Sequence, residues 1–146
     1  MSQFQPTPPL SRAPGLMIVI GEPLAALGKV LRDILVPEGH HVETFEDGLA
    51  LWEHLDRGAV VPDLVLVDLD VPRLGALELL ARVEAKQLAC QVVVMTTGSN
   101  GHWQTACIQA GAHACLQKPF SLALLRRILA VLRSRKVGRP PGGLST

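Results

Sequence analysis

The chain predicts an α/β domain: a doubly wound parallel sheet with helices on both faces. Three observations predict it. Five short apolar runs alternate with segments of helical periodicity between residues 16 and 134. The runs are too short for helices and the clearest are rich in Val, Ile and Leu, as strands buried on both faces are. Three of them close on or just before a side chain that can do chemistry, namely Asp68, Thr96 and Lys118. Parallel sheets gather such residues at the carboxyl ends of their strands, in the crevice where strand order reverses.

The elements follow in order. Residues 1–15 are rich in Pro, Ser and Gln and read as a flexible arm. Residues 16–20 read as a buried strand. Pro23 fits a first helical turn, and Leu24, Leu27, Leu31 and Ile34 follow at helical spacing. Residues 41–45 form a partly polar strand at or near an edge. Glu46-Asp47-Gly48 leads into a short helix with Leu51, Trp52 and Leu55 on one face. Residues 64–68 are the clearest central strand. Leu77, Leu80 and Val83 mark a third helix, and residues 91–96 a fourth strand followed by a glycine-containing loop, 97–101. Trp103, Cys107 and Ala110 mark a fourth helix, stopped by Gly111. Residues 114–116 are a short fifth strand. Ser121 can cap the last helix, whose buried stripe is Leu122, Leu125, Ile128 or Leu129, and Leu132. The domain is therefore expected over 16–136, with 137–146 as a flexible tail.

Bulk properties narrow the function classes. A length of 146 residues is one domain's worth, and 48% hydrophobic content excludes wholesale disorder. No apolar run approaches the length that spans a bilayer, and the first residues lack the pattern of a signal peptide, so a cytoplasmic protein without membrane contact is expected. Cys90, Cys107 and Cys115 are odd in number, lie in apolar segments and form no C-x-x-C, which favours buried reduced thiols over a disulfide or zinc site. His40, His41, His54, His102 and His113 show no metal-ligand spacing and read as surface or strand residues. The 97–101 loop lacks the phosphate-cradling P-loop pattern. Net charge is +1, but all 13 acids lie between Glu22 and Glu84, while eight of the 14 Lys and Arg follow residue 84. That asymmetry suggests a basic C-terminal face.

The chemistry is read from the strand ends. A carboxylate at Asp68 can act as nucleophile toward a phosphoryl group. A hydroxyl at Thr96 and an ammonium at Lys118 can hold phosphoryl oxygens by hydrogen bonds and charge. The plainer reading is a partly buried Asp68–Lys118 ion pair with Thr96 capping a strand.

Several motifs together carry a resemblance. They are Pro62-Asp63-Leu64-Val65-Leu66-Val67-Asp68 with Pro72 four residues on, Thr96, Ala110-Gly111-Ala112, and Lys118-Pro119-Phe120. As a set they resemble the receiver domain of bacterial two-component response regulators, over residues 16–134. The resemblance implies a flavodoxin-like (βα)5 fold with strand order 2-1-3-4-5. It also implies Asp68 as phosphoacceptor, Thr96 as the switch hydroxyl, and Lys118 as the amine that pairs with the phosphorylated aspartate, with a cis bond to Pro119.

The departures from that pattern set the expected mechanism. The family usually carries two acids after the first strand that bind Mg²⁺ with the phosphoacceptor; the positions assigned here are Ile20 and Gly21. No metal or other cofactor is expected unless Glu22 or Asp70 substitutes, and Glu22 is expected to cap the first helix instead. Cys115 stands where many receivers carry a ring that turns inward on phosphorylation. Gly75 and Ala76 replace the usual aspartate and glycine after Pro72.

The expected function follows. It is an atypical receiver, not an enzyme, acting in signal transduction or transcriptional control by protein contact, with weak or absent Mg²⁺-dependent phosphorylation. The partner would be a histidine kinase, a transcription regulator or a second copy of the chain. Two alternatives stand beside it: a working phosphoacceptor at Asp68 for a histidine kinase, and a nucleic-acid accessory protein. The second would use Arg126, Arg127, Arg133, Arg135, Lys136 and Arg139 for non-specific contact, though these cations also suit the end of a helix. No acids are expected near Arg126 and Arg127, and no output domain is recognised after residue 134.

Overall fold

A computed structural model describes residues 14–58, 60–98 and 101–138. Strands β1 (Met17–Gly21), β2 (His41–Phe45), β3 (Leu64–Asp68), β4 (Gln91–Thr96) and β5 (Ala114–Gln117) form one sheet in the order β2-β1-β3-β4-β5, every pair parallel. Helices α1 (Ala25–Leu35), α2 (Gly48–Arg57), α3 (Ala76–Ala85), α4 (His102–Gln109) and α5 (Leu122–Gly138) connect and close it. The doubly wound α/β fold read from the sequence is thus the observed one, in the expected strand order.

Alternation along the strands divides the core in two. Val19, Val65, Val67 and Val94 face the helices α2, α3 and α4, packing on Leu51, Leu55, Leu79 and Cys107. Ile18, Ile20, Leu64 and Leu66 face α1 and α5, packing on Leu31, Leu35, Leu125 and Leu129. Each fully buried Leu or Ile in these layers is worth about 1.5–3 kcal/mol relative to exposure. β3 is buried at every position, which makes it the rigid centre from which Asp68 projects.

Local signals explain the helix ends. The Asp47 carboxylate accepts the Ala50 N–H at 2.6 Å and opens α2. The Ser121 hydroxyl accepts the Leu124 N–H at 3.0 Å and opens α5. Gly111 adopts φ 108°, and the Gly111 and Ala112 N–H groups close α4 onto the Ile108 and Cys107 carbonyls.

Two stripes are out of phase with the sequence reading. α1 starts at Ala25, so Pro23 lies outside it and Leu24 is 61% exposed at the N-cap. The buried face is Gly28, Leu31 and Leu35, with Leu27 and Ile34 half-buried. In α3 the inward positions are Ala76, Leu79, Leu80 and Val83, and Leu77 points to solvent. β1 also runs to Gly21 rather than stopping at Ile20. Helix α5 continues through Gly138, two residues into the expected tail; residues 1–13 of the expected arm and 139–146 of the tail lie outside the described residues. Among the described residues no helix is long and apolar enough to cross a membrane.

Two histidines serve the sheet. Buried His40 accepts the Leu16 N–H on Nδ1 at 3.0 Å, and His113 accepts the Val92 N–H likewise. His40 is therefore an interior structural residue, not a surface one. The cysteines Cys90 and Cys107 are buried and Cys115 is half-buried, all as free thiols.

Candidate phosphoacceptor crevice

Parallel register brings the three predicted side chains to one end of the sheet. Asp68 lies opposite Met95, and Thr96 opposite Gln117, with Lys118 one residue beyond. The backbone fixes these neighbours: Leu69 N–H donates to the Met95 carbonyl at 2.7 Å, and Lys118 N–H to the Thr96 carbonyl at 2.6 Å. The Lys118–Pro119 peptide bond is cis. Asp68 and Thr96 are only 6% and 2% exposed.

The expected Asp68–Lys118 pair is present, with Lys118 Nζ donating to Asp68 Oδ2 at 2.5 Å. The Asp70 N–H donates to the other oxygen, Oδ1, at 2.8 Å. Both oxygens of the candidate nucleophile are therefore hydrogen-bonded. The Asp70 residue itself is exposed.

A second carboxylate completes the site. Glu22 is 3% exposed, and its Oε1 also accepts from Lys118 Nζ. Its Oε2 accepts the Leu24 N–H at 3.0 Å, and its own N–H donates to the Phe45 carbonyl at 2.9 Å. Glu22 thus does two things at once: it reaches the crevice and it ties down the entry to α1. Burial acts to lower the Lys118 pKa, but hydrogen bonds and charge from Asp68 and Glu22 outweigh it and hold the ammonium above its ordinary value.

This placement corrects the assignment of Ile20 and Gly21 to the acidic pair. Both belong to β1: Ile20 is in the core against α1 and α5, and the Cα of Gly21 faces the Leu51 and Val67 side chains. The first residues to leave the strand at the crevice are Glu22 and Pro23. Of these two, Glu22 brings a carboxylate to the crevice and Pro23 has no side-chain oxygen.

The fit of a divalent metal can be tested on this donor set. Mg²⁺ takes oxygen ligands in near-octahedral array. Here the two buried carboxylates converge on an ammonium, and Pro23 contributes nothing. Among the described residues no group of three or more His, Cys, Asp or Glu side chains converges. The residues as arranged do not fit the metal site that the resemblance implies.

Thr96 holds a different partner from the crevice. Its Oγ1 accepts the Gly98 N–H at 3.1 Å, and the Gly98 carbonyl accepts the Trp103 indole N–H at 3.2 Å. Sequence reasoning missed this connection; a tryptophan at the start of α4 looked only like core. Cys115 sits half-buried on β5, its thiol 3.9 Å from the Gln104 carbonyl. Burial pushes the Cys90 and Cys107 thiols up to about 11 and also raises Cys115, so none is primed as a nucleophile.

The basic residues do not form one free patch. Glu38 lies against Arg126, whose Nη2 and Nε donate to Glu38 Oε2 at 2.8 and 3.1 Å. The expectation of no acid near Arg126 therefore fails, because the 3-10 turn Val36–Glu38 packs beside α5. Arg133 Nε donates to the Pro14 carbonyl at 3.2 Å. Arg127 and Arg135 are exposed on α5. The side chain of Lys136, and Arg139 altogether, lie outside the described residues.

A buried aspartate at the end of a central strand, faced by a lysine and a threonine from the next two strands, defines the class of phosphoacceptor-type α/β switch domains. Comparison with known proteins specifies the family. The response regulator receiver domain profile matches residues 18–130, and the chain belongs to that family, the receiver domains of two-component signal transduction. It is 30% identical over 131 residues to the transcriptional regulatory protein TcrA of Mycobacterium tuberculosis, covering 89% of this chain and 51% of TcrA. It is 28% identical over 120 residues to the sensor histidine kinase RcsC of Salmonella typhimurium, covering 82% of this chain and 12% of RcsC. The chain thus spans about half of one of these relatives and a small part of the other. Among solved structures, the N-terminal domain of an uncharacterized Wolinella succinogenes protein, WS1339, superposes with a TM-score of 0.78 at 27% identity, covering 86% of this chain and all of that one.

Proposed function

We propose that this chain is an atypical receiver that works through protein contact, with Mg²⁺-dependent phosphorylation of Asp68 weak or absent. One observation carries the reading: Lys118 is held between two buried carboxylates, Asp68 and Glu22. In the family pattern the lysine is available to a phosphorylated aspartate. Here it already has two anionic partners, and an incoming phosphoryl donor meets a crevice with two carboxylates to one ammonium. Whichever Asp68 oxygen attacks already accepts a hydrogen bond, from Lys118 on Oδ2 or from the Asp70 N–H on Oδ1, which lowers its nucleophilicity. Pro23 at the second post-strand position removes the oxygen that would help a cation offset that charge.

The partner is a protein surface: a histidine kinase, a transcription regulator or a second copy of the chain. Neither catalysis nor a resident cofactor is part of the reading. The Glu38–Arg126 pair and the Arg133 contact with Pro14 argue against a nucleic-acid role for the whole basic set, since two of its cations are engaged within the fold.

Incubation with acetyl phosphate and Mg²⁺, followed by intact-mass measurement, tests the proposal. The wild-type chain is expected to gain no phosphoryl mass. Pro23→Asp, which supplies the missing oxygen, is expected to gain it. A wild-type mass increase that vanishes in Asp68→Ala would overturn the reading in favour of a working phosphoacceptor.

A further inference from the structure

In the family pattern the ring on β5 turns when the crevice changes state, and Cys115 carries no ring. The structure offers another route out of the crevice. Thr96 Oγ1 accepts the Gly98 N–H at 3.1 Å, and the Gly98 carbonyl accepts the Trp103 indole N–H at 3.2 Å. The Gly98 residue lies between them, its Cα facing Thr96 Oγ1 and the Trp103 ring. Trp103 is half-buried and packs against the same core cluster as Cys115, Ala110 and Leu69, and Leu69 follows Asp68 directly.

We propose that Trp103 is the positioning residue that couples Thr96 to helix α4, in place of a ring at position 115. The mechanism needs no group transfer. The threonine hydroxyl has two uses for its oxygen. While it accepts from Gly98, it holds the start of the loop that leads to α4, and the loop's carbonyl holds the indole. When the hydroxyl turns toward the crevice, Gly98 loses its acceptor and the indole loses its anchor. Because Trp103 sits in the first turn of α4, the release acts on the N-terminal end of that helix. By linkage the coupling runs both ways, so a change at Trp103 also changes how firmly Thr96 is held. The inference does not depend on whether Asp68 is phosphorylated, because the relay is present with Lys118 already paired.

The protein contains two tryptophans, so Trp52→Phe leaves Trp103 as the sole indole reporter. In that background Thr96→Val removes the acceptor, whereas Thr96→Ser keeps it. Exchange of the Trp103 indole N–H, read by NMR, is expected to rise by about two- to tenfold in the Val variant, the range for one lost hydrogen bond. Tryptophan emission is expected to shift to longer wavelength. The Ser variant is expected to behave like its parent. Equal indole exchange in the Val and Ser variants would overturn the proposal. So would a Val variant in which amides throughout β1 and β3 exchange faster to the same degree, since that is general loosening.

Should Thr96→Val fail to fold, Trp103→Phe in the otherwise intact chain reads the relay from its other end. The Gly98 amide is then expected to exchange about two- to tenfold faster, while the Asp63 and Gln91 amides, at the far end of the sheet, keep their rates. An unchanged Gly98 rate would overturn the proposal.

Discussion

Lys118→Met removes the one cation from a site that holds two buried carboxylates. The side chains of Lys118, Glu22 and Asp68 are 12%, 2% and 8% exposed, so solvent screens the trio poorly. Deleting one member of such a buried arrangement costs about 3–5 kcal/mol, because the remaining charges lose their compensation. An exposed ion pair would cost about 0–1 kcal/mol. Against a total stability of about 5–15 kcal/mol, the loss is a large fraction. Urea unfolding followed by circular dichroism measures it. The diagnostic comparison is the triple variant Lys118→Met, Glu22→Gln, Asp68→Asn, in which no charge is left buried. The amide introduced by Glu22→Gln retains an oxygen for the Leu24 N–H, so the triple variant is expected to recover most of the loss. A single Lys118→Met cost below about 1 kcal/mol would refute the argument, as would a triple variant no more stable than the single one.

Other consequences can be measured on the same preparations. The Lys118 pKa is raised in the folded state, so its contribution is full below the ordinary lysine value of about 10.4 and is lost as pH rises through the folded value. The alkaline decline in urea midpoint should therefore be shallower in Lys118→Met. The His40 pKa is lowered by burial and by the nearby Arg133 charge, so its contribution is present above about pH 6.5 and is lost as pH falls through the folded value. An acid-side fall in stability is expected below neutrality, with a smaller slope in His40→Gln when midpoints at pH 7 and 5 are compared. Gly48→Ala should be severely destabilising, by more than about 2 kcal/mol in chemical denaturation, because the new Cβ would lie 1.7 Å from the Leu74 carbonyl oxygen, which is backbone and cannot swing away.

Legibility in the sequence followed physical punctuation. Residues 64–68 and 91–96 were placed to the residue, because Pro62-Asp63 precedes the first run and Gln91 and Thr96-Thr97 bound the apolar stretch of the second. The strand order was reached through the resemblance, and the sheet has it. The end of the first strand was not legible. Residues 16–20 are uniformly apolar and Gly21 has no side chain to mark a face; β1 runs through Gly21, so the crevice positions are Glu22 and Pro23, two residues beyond Ile20 and Gly21. The same ambiguity put Leu24 at the head of a buried stripe, when the Glu22 carboxylate holds its N–H and turns its side chain to solvent. The Glu22–Lys118 contact joins residues 96 apart, and no local pattern announces it. Glu38 beside Arg126 escaped for the same reason, at a separation of 88 residues. The Asp68–Lys118 pair was legible only because strand ends in parallel sheets converge.

The two margins of the sheet bear on how this domain meets other molecules. β2 has five residues, with His41, Glu43 and Thr44 turned to solvent, and β5 has four. Both borders are short, and β2 adds exposed charged or polar side chains where β5 exposes only Gln117; shortness at either side, and polarity at β2, discourage another strand from zipping on, a common route both to aggregation and to peptide capture. Recognition by backbone ladder is thereby disfavoured at either side. What another molecule encounters is helix surface and crevice rim, so selectivity resides in side chains, and substitutions there can redirect the domain while the sheet stays the same.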